Sequence, residues 1–152
     1  MKVHVISRSM LIPVPAERIF RVIADYQDRH QRILPRPPFV SLTVLKGGVG
    51  ADTEITFDMK VMGQVRTSRA TISEPEPGRV LVERNDSGIV TTFTVEPREQ
   101  NQHAFVTIRT EMPVRDGLLG KLEGWMATQL LYPTYLRELQ QLSQVAGEEM
   151  TQ

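Results

Sequence analysis

The sequence contains no cysteine. That excludes a disulfide framework, a thiolate nucleophile and a Cys-ligated zinc site. Neither charge is in excess: Lys plus Arg and Asp plus Glu number 18 each, for a formal net charge of zero. Strong attraction to nucleic acid or to an anionic membrane is therefore not expected. No stretch of about 18 uninterrupted apolar residues is present, so no membrane-spanning segment is expected. The opening residues show no basic segment followed by a long apolar run, so no signal peptide is expected, and a cytoplasmic protein is the default. Histidine is scarce. His4, His30 and His103 lie far apart, and none has a second histidine three or four residues on. A metal site needs three or four converging ligands, so no metal is expected, and no cofactor signature is present. No Ser/His/Asp order or nucleophile elbow appears.

What is there reads as one globular domain spanning residues 1–152. Hydrophobic residues make 40% and charged residues 24%, ordinary proportions for a folded chain able to bury a sizeable core. The longest pattern runs from Asp116 to Val145. Leu118, Leu122, Trp125, Gln129, Tyr132, Leu136 and Leu139 recur at spacings of three and four, and Leu119, Met126, Leu130 and Leu142 widen the stripe. That is the period of an amphipathic helix. About 28 helical residues span roughly 40 Å, so this helix must lie across something broad. Pro133 falls inside it and removes one backbone bond, which predicts a kink near Gln129.

The remainder supplies mostly strands. Val3–Ile12 is a first β-branched run, ended by Pro13 and Pro15. Pro15-Ala16-Glu17 opens a short helix whose apolar face is Ile19, Phe20, Val22, Ile23 and Tyr26. The polar segment Asp25–Arg32 forms a second short helix or an extension of the first. Pro35, Pro37 and Pro38 then forbid regular helix. Further strands are expected at Phe39–Leu45, Thr53–Met62, Val65–Ser73, Arg79–Arg84, Ile89–Glu96 and His103–Met112. The cleanest is the second of these. Ile55, Phe57, Met59 and Val61 alternate with Glu54, Thr56, Asp58 and Lys60, as on a sheet covered on one side. Gly63-Gln64 reads as its hairpin turn. Gly47, Gly48 and Gly50 read as a strand-connecting turn rather than a phosphate cradle, because no Lys-Ser/Thr follows and no helix opens there. Clustered strands with segregated helices give an α+β class. A sheet of six or seven antiparallel strands must curl, and the long helix is the element able to plug its concave side.

Several stretches resemble the START-like superfamily with the helix-grip fold, also called SRPBCC. Val14-Pro15-Ala16-Glu17-Arg18-Ile19-Phe20 is similar to the family's opening helix. Ala24-Asp25-Tyr26 followed by Leu34-Pro35 resembles the coenzyme Q-binding branch and polyketide cyclase/dehydrase-like members. Val44-Leu45-Lys46-Gly47-Gly48-Val49-Gly50 resembles the Gly-rich loop between the second and third strands, and Leu118–Leu142 resembles the closing helix. The resemblance implies a cavity between sheet and helix that holds an apolar small molecule such as a lipid, polyketide or isoprenoid. The candidate ligand-binding residues are then Phe57, Met59, Ala70, Phe93 and Ile108 from the strands, Tyr26 from the first helix, and Trp125, Met126 and Gln129 from the long one. A cyclase or dehydratase is the alternative, and a protein-interaction module without ligand a third. Catalysis would need an ionisable group phased inward, and Arg66, Arg84 and His30 are the candidates. For His30 the plainer reading is a solvated histidine near the cavity mouth. Arg69, Arg109 and Glu111 are expected to form a charge ladder on the convex, wet face.

Overall fold

A computed structural model of the chain describes residues 2–148. Its elements run β1 (Lys2–Ile12), α1 (Ala16–Ala24), α2 (Arg29–Ile33), β2 (Phe39–Lys46), β3 (Glu54–Val61), β4 (Gln64–Glu76), β5 (Val80–Asn85), β6 (Val90–Arg98), β7 (His103–Val114) and α3 (Gly117–Glu148). The seven strands form one antiparallel sheet in the order β1-β7-β6-β5-β4-β3-β2. Only the β1–β7 pairing joins strands distant in sequence; every other pair is a hairpin neighbour. The sheet curves around α3, with α1 and α2 packed at its closed end. This is the α+β class that the clustering of strands implies and the helix-grip architecture that the resemblance implies.

Local chemistry sets the turns. The β3–β4 hairpin turns at Met62-Gly63, one residue earlier than the expected Gly63-Gln64. Both residues have positive φ, 52° and 80°, the requirement of a type I′ turn, and Gln64 already pairs with Val61. The strand β4 continues to Glu76, past the end expected at Ser73, through an irregularity between Ser73 and Glu76. The glycine loop between β2 and β3 is structural. Gly48 O accepts from Tyr26 N and Gly50 N donates to Ala24 O, both at 2.9 Å, which clamps the end of α1 to the sheet. A side chain on Gly48 would collide with Gln27.

The long helix is present but rotated relative to the expected stripe. Its buried positions are Gly120, Gly124, Thr134, Tyr135, Glu138, Leu139, Leu142, Val145 and Ala146. Leu118, Leu119, Leu122, Trp125 and Tyr132 are exposed. The glycines explain the rotation. A Cβ on Gly124 would lie 2.7 Å from the His4 ring of β1, so the helix approaches that strand on a face that carries glycine, and Thr128 one turn on bonds to the same ring. A periodicity read from apolar side chains cannot see such a face. The helix passes through Pro133 as one element and continues through Gly147.

Gly120 tests this close approach. A Cβ there would overlap the carbonyl oxygen of Arg115. Alanine normally improves a helix interior over glycine by about 1 kcal/mol. Here Gly120→Ala is expected to destabilise by about 1–3 kcal/mol, the usual cost of overpacking. Gly147→Ala, where nothing lies within 4 Å of the added carbon, is expected to cost nothing. Urea unfolding of the two variants checks the pair, and an undiminished Gly120→Ala protein contradicts the packing.

Candidate ligand cavity

A cavity of about 580 Å³ lies between the concave face of the sheet and α3. That is within the ordinary range for small-molecule sites. The apolar wall comes from alternate positions of the strands: Leu42 on β2, Ile55, Phe57 and Met59 on β3, Ala70 on β4, Phe93 on β6. One face of each strand therefore does the lining, as period-two alternation requires. Met126, Ala127, Leu130 and Leu131 of α3 close the other side.

One cluster of polar groups lies where the cavity is most buried. His30, on α2, is 1% exposed and stacks on Tyr26 with ring centroids 4.1 Å apart, while Phe93 meets it edge-on at 5.8 Å. Its Nδ1 lies 2.6 Å from Ile23 O. A carbonyl only accepts, so Nδ1 carries the proton. Burial lowers the ring's pKa to about 4, so the imidazole is neutral at ordinary pH and Nε2 presents a lone pair. That atom lies 3.7 Å from Glu83 Oε2. Glu83, on β5, accepts a hydrogen bond of 2.5 Å from Tyr26 Oη. Its burial raises its pKa to about 7, against the lowering effect of the Tyr26 bond. Across the floor stands Glu138 of α3, 2% exposed and lining the cavity. No side-chain hydrogen bond or ion pair to it exists among the described residues. Desolvation first, and Glu83 second, push its pKa well above the usual carboxylate range. A hydroxyl chain completes the floor: Thr91 Oγ1 lies 2.8 Å from Thr110 Oγ1, which bonds to Tyr135 Oη.

Of the residues expected at a ligand site, the fold brings Phe57, Met59, Ala70, Phe93, Met126 and His30 to one cavity. Four others lie elsewhere or act indirectly. Trp125 is 61% exposed and Gln129 is exposed as well, because the helix is rotated onto its glycine face. Ile108 is fully buried in the core rather than at the cavity wall. Tyr26 is fully buried behind the wall, where it holds Glu83. His30 is not the solvated mouth residue expected; packing between Tyr26 and Phe93 takes it to the floor. Arg66 lines the cavity from an exposed position on β4, whereas Arg84 is exposed and does not line it. Asp25 is held in an ion pair with Arg29 at 2.9 Å. On the outer face Arg69 pairs with Glu54 at 2.9 Å and Arg109 with Glu111 at 3.3 Å. No group of three metal-ligating side chains occurs among the described residues, and no described helix is long and apolar enough to cross a membrane.

Two floor residues escaped the sequence reading. Glu83 shares the phase of Leu81 and Asn85 on β5, and the inward phase had been placed on Arg84 instead. Glu138 lies three residues after Tyr135 and four before Leu142, both buried. An acid in the middle of a buried stripe was the available signal.

The sequence matches the family model described as polyketide cyclase / dehydrase and lipid transport over residues 3–147. The chain belongs to this family. Solved structures agree on the fold. The KanY protein (ms6282) superposes with a TM-score of 0.82 at 24% identity, covering 97% of this chain and 99% of that one. The Zhui aromatase/cyclase from Streptomyces sp. R1128 gives 0.77 at 14% identity, covering 98% and 96%. A START superfamily protein from Mycobacterium smegmatis gives 0.70 at 14% identity, covering 95% and 98%. No match was found among curated proteins. As a member of the polyketide cyclase / dehydrase and lipid transport family, the chain carries the family's sheet, helix and enclosed space. At these identities the structural likeness speaks for the fold alone.

Proposed function

We propose that this protein binds an elongated hydrophobic small molecule, of lipid, polyketide or isoprenoid type, in the cavity between sheet and α3. The observation that carries the reading is the cavity of about 580 Å³, its walls largely apolar, with a cluster of polar side chains at its buried end. Such a site gains affinity from apolar burial and orientation from a few polar contacts. Lipid transport and cyclisation, the roles named for the family and for a structural neighbour, both involve holding a molecule of this kind.

Met126 faces the cavity from α3 and is half-buried, so a larger ring there fills space without cutting the core. Met126→Trp is expected to weaken binding of the apolar dye N-phenylnaphthylamine at least tenfold while leaving the unfolding midpoint within a few degrees. Dye titration and thermal unfolding read the two quantities. Unchanged dye affinity in a folded Met126→Trp protein counts against the cavity as the binding site. Native mass spectrometry of protein purified from cells is expected to show a co-purifying apolar molecule.

A second reading, an enzyme of cyclase/dehydratase type, is favoured by one specific observation. Two carboxyl groups in unlike surroundings share the floor with a neutral imidazole: Glu83, partly accessible and bonded to the Tyr26 hydroxyl, and Glu138, 2% exposed with no side-chain partner among the described residues. Such a pair can divide the roles of general acid and general base. Loss of turnover of a poly-β-ketone thioester in His30→Ala, with binding retained, supports this reading; unchanged turnover removes His30 from it.

A further inference from the structure

We propose that the cavity floor, where Glu138 and Glu83 converge beside His30, is a subsite for the amine end of an otherwise apolar ligand. The proposal rests on the binding reading above and names the chemistry of its ligand. The argument is a count of donors and acceptors. The Tyr26 hydroxyl hydrogen is spent on Glu83 Oε2. The His30 Nδ1 hydrogen is spent on Ile23 O, which leaves Nε2 as an acceptor. In the chain Thr91–Thr110–Tyr135 two hydrogen bonds join three hydroxyls, so at most one hydroxyl hydrogen is left over. Against that stand, once the two acids are ionised, both oxygens of Glu138 and the second oxygen of Glu83, to which no side chain donates among the described residues. The floor is rich in acceptors and poor in donors. These oxygens line the cavity, where a ligand can reach them, and an ammonium group supplies three donors and no acceptor. A hydroxyl supplies one donor, and a carboxylate none.

Charge points the same way. Among the described residues lining the cavity, the only permanently charged cation is Arg66. In the sheet register Glu83 sits opposite Ile72, and Arg66 lies six residues before Ile72 on the same strand. At the rise of a strand that is about 20 Å away, too far to neutralise the floor. Without a cation, burial keeps Glu138 protonated. On binding an ammonium group, Glu138 gives its proton to solvent and becomes the carboxylate that faces the new charge, a charge-assisted hydrogen bond in a dry site. An anionic head group at the same place would meet two acids and no nearby cation among the described lining residues.

Calorimetric titration with decylamine, decan-ol and decanoate, each below its micellar concentration at pH 7, tests this. Decylamine is expected to bind at least tenfold tighter than the alcohol, with decanoate the weakest. In Glu138→Gln the amine-to-alcohol ratio is expected to fall to near one. The glutamine variant removes a buried ionisable group and keeps its shape, so it should fold; circular dichroism checks that it does. Should the alcohol bind but the amine bind no better, or Glu138→Gln leave the ratio unchanged, the amine subsite is overturned while the apolar cavity stands. Should none of the three bind, the cavity reading fails and the subsite with it.

Discussion

Phe93→Ala is expected to cost about 3–5 kcal/mol of folding stability, the largest loss of any single truncation at the cavity wall. Phe93 is 2% exposed and lies in register between Leu81 of β5 and Ile108 of β7, both fully buried. Its ring also meets the edge of His30. Truncation therefore removes a large buried apolar surface and one wall of the imidazole's pocket. The space left behind opens into an existing cavity, so neighbouring side chains have little reason to collapse into it. Against a total stability of about 5–15 kcal/mol for a domain, such a loss is a large fraction. Phe57 is the comparison. It lines the same cavity from β3 but is only half-buried, so Phe57→Ala is expected to cost distinctly less. Urea unfolding of both variants gives the difference. Equal losses would mean that the Phe93 ring is not the keystone of the closed end.

How much of this was legible in the sequence depends on what kind of side chain carried the message. The strands announce themselves through alternation, and Ile55, Phe57, Met59 and Val61 state the inner face of β3 without ambiguity. The existence of α3 is equally plain from its apolar spacing. Its orientation is not, because it approaches β1 at Gly124 and the preceding Arg115 at Gly120, and neither glycine has a side chain to count. The exposed Leu118, Leu122, Trp125 and Tyr132 form the louder periodicity and drew Trp125 and Gln129 into the expected site. The cavity wall was legible because apolar lining and apolar core obey the same pattern; Ile108 shows that the pattern cannot separate the two. The floor was hidden for a different reason. Charged residues are ordinarily read as solvated, and Glu83 and Glu138 are acids on buried faces. Only the register of β5 and the rotation of α3 bring them together, and both are tertiary facts.

Those buried acids govern the last expectation, which concerns pH. Replacing His30 by phenylalanine is expected to expose a loss of stability with rising pH that the wild-type protein partly masks. Glu83 has its pKa raised from 4.5 to about 7 by burial. Its contribution is fully present below pH 4.5, where both folded and unfolded chains hold the proton, and is lost as pH rises through about 7. At about 1.4 kcal/mol per pH unit this amounts to roughly 3 kcal/mol at most, since 18% of the side chain is still accessible. His30 runs the opposite way. Burial lowers its pKa from 6.5 to about 4, so its contribution is intact above pH 6.5 and is lost as pH falls toward 4. Between about pH 4.5 and 6.5 the two slopes oppose each other. Glu138, raised by desolvation and by Glu83, adds to the decline with rising pH. The groups facing Glu83 are Tyr26, which stays protonated, His30 from α2, and Glu138 and Tyr135 from α3. From pH 5 to 7.5, His30→Phe should therefore lose more stability than wild type, by an amount on the order of 2 kcal/mol, and Glu83→Gln should lose less by a similar amount. The pH slope is the readout, because either substitution also shifts stability uniformly through its lost contacts. Urea unfolding of the three proteins at both pH values decides the matter. Slopes moved in the same direction by both substitutions would show that imidazole and carboxyl are not the opposed, buried pair that the geometry describes.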